Sequence, residues 1–94
     1  ILKSGILLDI NFQNKVLDFF AQNGDLKTAE SIFYQMRIRD TITWTSMING
    51  YVENNENVKA LDLFEKMKTQ YIEINLVTLV CALKAIKNLR NLSK

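Results

Sequence analysis

The chain has 94 residues, of which 48% are hydrophobic and 23% are charged, and these values are typical of an ordinary folded domain. Twelve Lys and Arg residues against ten Asp and Glu residues give a net charge of +2, which permits a polyanionic partner without requiring one. Histidine is absent and Cys81 is the single cysteine, which excludes an internal disulfide, Ser-His and Cys-His nucleophilic pairs and the usual zinc sites.

Residues 10–40 predict a pair of helices. The first helix is expected to have an apolar face formed by Phe12, Val16, Leu17 and Phe20. Asn23-Gly24 interrupts this pattern, and glycine suits the left-handed residue that ends many helices. Asp25 is the expected N-cap of the second helix. The apolar face of that helix is formed by Leu26, Ala29, Ile32, Phe33 and Met36.

The same order of features follows in residues 41–75. The first apolar face consists of Trp44, Ile48 and Tyr51, and Asn54-Asn55 predicts the turn. Asn57 is the expected N-cap of a helix whose apolar face is formed by Val58, Leu61, Phe64 and Met67. Beyond residue 75, another first helix is predicted to bury Leu79, Leu83 and Ile86 and to end near Asn88.

The two helix pairs are related by an internal repeat. An offset of 31 residues superimposes four identical pairs, namely Asn23 on Asn54, Ala29 on Ala60, Phe33 on Phe64 and Met36 on Met67. An offset of 35 residues carries Thr43 onto Thr78 and Ile48 onto Leu83. Because neither helix of a pair can bury its apolar face alone, stacked pairs must share one core. The predicted fold is therefore an all-α solenoid of helix-turn-helix repeats, with close helix approach at Ala29 and Ala60.

Two segments resemble the pentatricopeptide repeat family. They are Thr41-Ile42-Thr43-Trp44-Thr45-Ser46-Met47-Ile48-Asn49-Gly50-Tyr51 and Ala60-Leu61-Asp62-Leu63-Phe64-Glu65-Lys66-Met67. By this resemblance, residues 1–9 are the tail of a long-type repeat, 10–40 a short-type repeat, 41–75 a standard repeat and 76–94 the start of a long-type repeat. The alternation is similar to that of the PLS subclass, and the chain is expected to be a fragment of a longer array.

The resemblance implies single-stranded RNA binding, one nucleotide per repeat, through the fifth residue of each first helix and the last residue of each repeat. Those residues are Asn14 and Asp40 in the first repeat and Thr45 and Asn75 in the second. The family's pairing rules associate them with uridine and adenosine, so the expected reading is 5′-U-A-3′. Their amide, hydroxyl and carboxylate groups are chemically suited to base edges, whichever family carries them.

Further residues of the repeats follow from the same register. Ile42 and Val77 are expected to clamp a base face between them, whereas Asn11 replaces the apolar residue in the first repeat. Val80, at the fifth position of the third repeat, offers little base-edge chemistry. Gln22 and Glu53 replace the family's phosphate-facing lysine, which predicts weaker attraction to the RNA backbone.

Simpler interpretations stand beside these. Asn14 and Thr45 are also explained as solvated helix positions, and Asp40 and Asn75 as ordinary cap residues. Trp44 is better explained by core packing than by base stacking, and Cys81 as a small buried group.

At the level of the protein, the resemblance implies a mitochondrial or, alternatively, a chloroplast RNA-binding module with no enzymatic activity, cofactor or metal. It is expected to act in RNA editing or processing, with separate editing or processing factors as possible partners. No membrane partner is expected, because no apolar run approaches a span of roughly 18–20 residues. The rival functions are a protein-binding scaffold of the tetratricopeptide type and a structural subunit of a ribonucleoprotein.

Overall fold

The computed structural model describes residues 9–92, which form five α-helices and no strand. The helices are α1 (Ile10–Gln22), α2 (Leu26–Gln35), α3 (Thr41–Glu53), α4 (Asn57–Thr69) and α5 (Leu76–Leu92). The predicted all-α architecture is confirmed. The predicted repeat tail falls, except for Asp9, outside the described residues. No helix within 9–92 combines the length and the apolar character needed to cross a bilayer.

The helices stack in succession. Helices α1, α3 and α5 form one layer in which each contacts the next, while α2 packs against α1 and α3, and α4 packs against α3 and α5. The described part of the chain is elongated and measures 50 × 27 × 17 Å. Contacts between successive helix pairs and an elongated shape are the properties of a solenoid.

The helix ends depend on short polar residues. The side chains of Asp9, Asp25 and Asp40 accept hydrogen bonds from backbone N–H groups in the first turns of α1, α2 and α3. Gly24, with φ +82°, and Asn55, with φ +63°, make the two predicted turns in the left-handed region.

The predicted N-cap of α4 is wrong. Glu56, not Asn57, is the N-cap of α4, and it makes no side-chain cap bond. Asn57 is buried instead, and its side-chain oxygen accepts a hydrogen bond of 3.1 Å from Asn88 on α5. Helix α2 ends at Gln35, one residue before Met36, whose backbone is extended.

The core lies where the two helices of each pair meet and where α1, α3 and α5 pack against one another. Trp44 packs edge-on against Phe33, with ring centroids 5.0 Å apart, so its predicted role in the core is confirmed. Ala29 and Ala60 are fully buried, as the repeat predicts. Gly50 brings α3 close to α1, because a Cβ atom at that position would lie 2.7 Å from the Cβ of Ala21.

The predicted buried face of the last helix is wrong. Leu79, Leu83 and Ile86 are exposed, and α5 runs beyond Asn88 to Leu92. The side of α5 that meets α3 and α4 consists of smaller side chains, namely Thr78, Cys81, Ala82 and Ala85. Small residues allow two helices to approach closely. Because α5 has apolar residues on both of its sides, hydrophobic periodicity could not identify which side is buried. Cys81 is buried as predicted, and burial raises the pKa of its thiol.

Candidate nucleic-acid interface

The predicted base-edge residues Asn14 and Thr45 occupy equivalent places, since each is the fifth residue of its helix in the layer of α1, α3 and α5. Both side chains are nearly covered, with exposed fractions of 5% and 8%. Each is hydrogen-bonded to a polar side chain of the following repeat. They therefore lie in two polar clusters at the contacts between successive repeats.

The first polar cluster consists of Asn14, Asp40 and Thr43. The Nδ2 group of Asn14 donates to Oδ1 of Asp40 over 3.2 Å, so the two predicted residues of the first repeat meet directly. The Thr43 hydroxyl lies 2.6 Å from Oδ1 of Asn14 and 2.9 Å from Oδ1 of Asp40. This cluster joins the middle of α1 to the start of α3.

Asp40 is the charged member of the first polar cluster. Burial alone would raise the pKa of its carboxyl, but hydrogen bonds from the backbone and side chain of Thr43 and from Asn14 outweigh it and lower the pKa below 3.8. The carboxylate is therefore ionised at neutral pH and can only accept hydrogen bonds. Arg39, the adjacent residue, is directed away and donates to the carbonyl of Phe33 over 2.7 Å.

The second polar cluster consists of Thr45, Asn75 and Thr78. The hydroxyls of Thr45 and Thr78 lie 2.7 Å apart, and Thr78 donates from its hydroxyl and its backbone N–H to Oδ1 of Asn75, over 2.9 and 3.0 Å. Thr45 and Asn75, the predicted pair of the second repeat, are thus connected through Thr78. Asn75 is exposed, and it is the open member of this cluster.

The apolar residues predicted to hold a base lie beside these clusters. Ile42 precedes Thr43 and Val77 precedes Thr78, and their side chains are 55% and 59% exposed. The Thr41 hydroxyl donates to the carbonyl of Glu73 over 2.7 Å, which fixes the segment leading to Asn75 against the start of α3. Exposed apolar side chains next to polar groups are suited to stacking on a base while its edge is hydrogen-bonded.

Sequence reasoning did not find Thr43 and Thr78 as members of the clusters. Each is the third residue of its helix and is fully buried. Two signals were available: the 35-residue offset pairs them, and each stands three residues after an Asp or Asn, the spacing of a capping motif. A capping motif explains the bonds to Asp40 and Asn75, but nothing in one sequence indicates the contacts with Asn14 and Thr45 across the repeat boundary.

Two family models match the sequence of this chain. Residues 39–88 match the model of the PPR repeat family, and residues 2–40 match the pentatricopeptide repeat domain. The chain belongs to the pentatricopeptide repeat family.

Individual pentatricopeptide repeat proteins of plants are similar along most of the chain. A pentatricopeptide repeat-containing protein of Arabidopsis thaliana is 37% identical over 98% of this chain and 11% of its own length. A second, named as mitochondrial, is 39% identical over 82% of this chain and 12% of its own length. The mitochondrial pentatricopeptide repeat-containing protein OGR1 of Oryza sativa subsp. japonica is 34% identical over 90% of this chain and 16% of its own length. The chain thus spans between about a tenth and a sixth of the length of these relatives.

Proposed function

We propose that this pentatricopeptide repeat chain binds single-stranded RNA, one nucleotide per repeat, with residues 10–40 and 41–75 as two reading units. Asn14 and Asp40 read uridine in the first, and Thr45 and Asn75 read adenosine in the second. The observation that supports this most is that the two residues of each pair, 26 and 30 positions apart in the sequence, share a polar cluster. A pair of neighbouring polar groups can address two adjacent atoms of a base edge.

The apolar residues complete the second site. Ile42 and Val77 are exposed at the start of α3 and α5, on either side of the second reading unit. A base held between them would have its edge directed toward Thr45 and Asn75. The first unit has exposed Asn11 where an apolar residue would serve, so we expect it to bind its base less tightly.

The role is recognition without chemistry. A zinc deaminase needs a cluster of His and Cys ligands with a glutamate, and the 94 residues contain no histidine and one cysteine. Any editing or processing of the bound RNA would therefore be performed by other residues or by a partner. We assign the repeats to the short, standard and long types of the PLS subclass, in a mitochondrial or chloroplast protein.

Affinity depends on the number of repeats. Two nucleotide sites contribute roughly 1–3 kcal/mol each, so the chain alone is expected to bind with a Kd between roughly tens of millimolar and tens of micromolar. Such binding is measurable by NMR titration with the dinucleotide U-A flanked by abasic riboses, which allows a single register.

The test is a change of base preference. Asn75→Asp replaces an amide that donates by a carboxylate that only accepts, and guanine presents two adjacent N–H donors on its Watson–Crick edge. We expect the variant to shift from U-A toward U-G. Asn55→Asp, at an exposed turn residue, adds the same charge away from the clusters and is the matched control. An unchanged preference across U-A and U-G in Asn75→Asp would exclude the proposed function.

A further inference from the structure

The direction of the hydrogen bonds in the second polar cluster is determined by its geometry. The backbone N–H of Thr78 can only donate, so the atom of the Asn75 amide that lies 3.0 Å from it must be the oxygen. The Thr78 hydroxyl lies 2.9 Å from that same oxygen. The Asn75 oxygen carries no proton, so in this hydrogen bond the Thr78 hydroxyl is the donor. Thr78 therefore donates its proton to Asn75.

The consequence falls on Thr45. A hydroxyl has a single proton, and that of Thr78 is already committed to Asn75. The hydroxyls of Thr45 and Thr78 are hydrogen-bonded over 2.7 Å, a distance that fits either hydroxyl as the donor. With the Thr78 proton donated to Asn75, Thr45 is the donor of this bond. Its oxygen then has only lone pairs to offer to a base, while the Nδ2 group of Asn75 offers two N–H donors.

In the first polar cluster, the charge of Asp40 determines which groups donate and which accept. Ionised Asp40 only accepts, so the Asn14 atom that lies 3.2 Å from its carboxylate must be the amide nitrogen. The amide orientation is therefore set by a charge within the same repeat. Asn14 then offers its second N–H, and Asp40 its Oδ2, which makes no hydrogen bond among the described residues.

The two clusters consequently present opposite patterns. The first offers a donor and an acceptor, complementary to a keto base edge such as uracil O4 and N3–H. The second offers an acceptor and a donor, complementary to an amino base edge such as adenine N6–H and N1. We propose that Thr78 is a positioning residue that makes Thr45 a hydrogen-bond acceptor and so selects amino over keto bases at the second nucleotide. This proposal rests on the proposed function.

The test removes the Thr78 hydroxyl and keeps its shape. In Thr78→Val the Thr45 proton is released and can be donated to a keto oxygen. In NMR titrations of the full chain with U-A and U-G dinucleotides flanked by abasic riboses, we expect the preference for adenosine over guanosine to fall roughly three- to tenfold, the effect of one hydrogen bond. Thr78→Ser keeps the proton in place and should restore the preference.

A purely structural role would give a different result. Because Asn14 is oriented by Asp40, the preference of Thr78→Val for uridine over cytidine at the first nucleotide should equal that of the wild type, whereas a general loosening would weaken both sites. If the wild type binds neither RNA or shows no preference for adenosine, the proposed function fails. If the wild type prefers adenosine and Thr78→Val keeps the same ratio, Thr78 has no such role.

Discussion

Asp40 has two functions in this chain. Its carboxylate accepts the N–H of Thr43 over 3.0 Å, which caps α3, and it also accepts the side-chain amide of Asn14 on α1. These bonds favour the ionised form and keep the pKa of Asp40 low. A group whose pKa is lower in the folded than in the unfolded chain stabilises the fold where it is ionised in both states. Its contribution is therefore present above pH 3.8 and is lost as pH falls through the folded-state pKa.

Asp40→Asn should reveal this contribution. Asn is an equally good cap and its Oδ1 can accept the same three bonds, so the variant loses only the charge that strengthens them, and we expect it to be less stable at pH 7 by roughly 0.5–1.5 kcal/mol. The difference in free energy of unfolding between wild type and variant should shrink below pH 3.8. Urea unfolding from pH 7 to pH 3 measures it. A difference that stays constant over this range would show that the carboxylate charge is not the stabilising element.

For single residues, the sequence was informative where a polar residue type stands at the repeat position that the family uses. Asn14, Asp40, Thr45 and Asn75 were predicted as two pairs, and the members of each pair lie in one cluster, although their roles toward RNA stay predictions. The burial of Asn14 and Thr45 was not predicted. It arises because the following repeat covers the fifth helical position, and a single sequence carries no direct signal of how closely two helices approach.

Among the helices, α1 and α3 approach each other closely at one position. Gly50 on α3 faces Ala21 on α1, and a methyl group on Gly50 would meet the Ala21 Cβ at 2.7 Å. Both atoms are attached directly to backbone, so no side-chain rotation can relieve the overlap. Asn54 strengthens the contact by donating to the carbonyl of Ala21 over 3.0 Å.

Gly50→Ala should therefore separate the two helices. The overlap is expected to cost roughly 1–3 kcal/mol, partly offset by about 1 kcal/mol from the better helix propensity of alanine. Ala21→Gly removes the opposing methyl group, so Gly50→Ala should be less harmful in that background by at least about 1 kcal/mol, as a double-mutant cycle of thermal or urea unfolding would measure. Strictly additive effects would contradict the contact.

The elements differ in how well the sequence predicted them. In α3, Trp44, Ile48 and Tyr51 were predicted as the apolar face and are all buried, because large apolar residues occupy one side of the helix. In α5 the same reasoning selected Leu79, Leu83 and Ile86, which are exposed. Hydrophobic periodicity detects the most apolar face, whereas Cys81, Ala82 and Ala85 are buried through their small size.

Over the whole molecule, α3 has the central position. It contacts all four other helices, whereas α1 contacts α2 and α3, and α5 contacts α3 and α4. In a solenoid, stability is close to a sum of terms between neighbouring units, so units with fewer neighbours open at lower free energy.

Native-state hydrogen exchange should follow this order. We expect the slowest amide exchange in α3, and faster exchange in the outward-facing turns of α1 and α5, because those helices open without disrupting the rest. Mass spectrometry of the exchanging chain, or NMR of single amides, measures it. Uniform protection across the five helices would indicate all-or-none unfolding and would contradict the additive description.

The hydroxyl contact between Thr45 and Thr78 has a practical consequence for engineering. By the predicted repeat bounds Thr45 belongs to one repeat and Thr78 to the next, so residues 41–75 moved as a block into another protein would leave the hydroxyl partner of Thr45 behind. A transplanted block that ends after Thr78 would bring its own proton acceptor with it. Grafts cut at residue 75 would inherit whatever side chain the host supplies, so under the proposed function their base preference would vary from host to host.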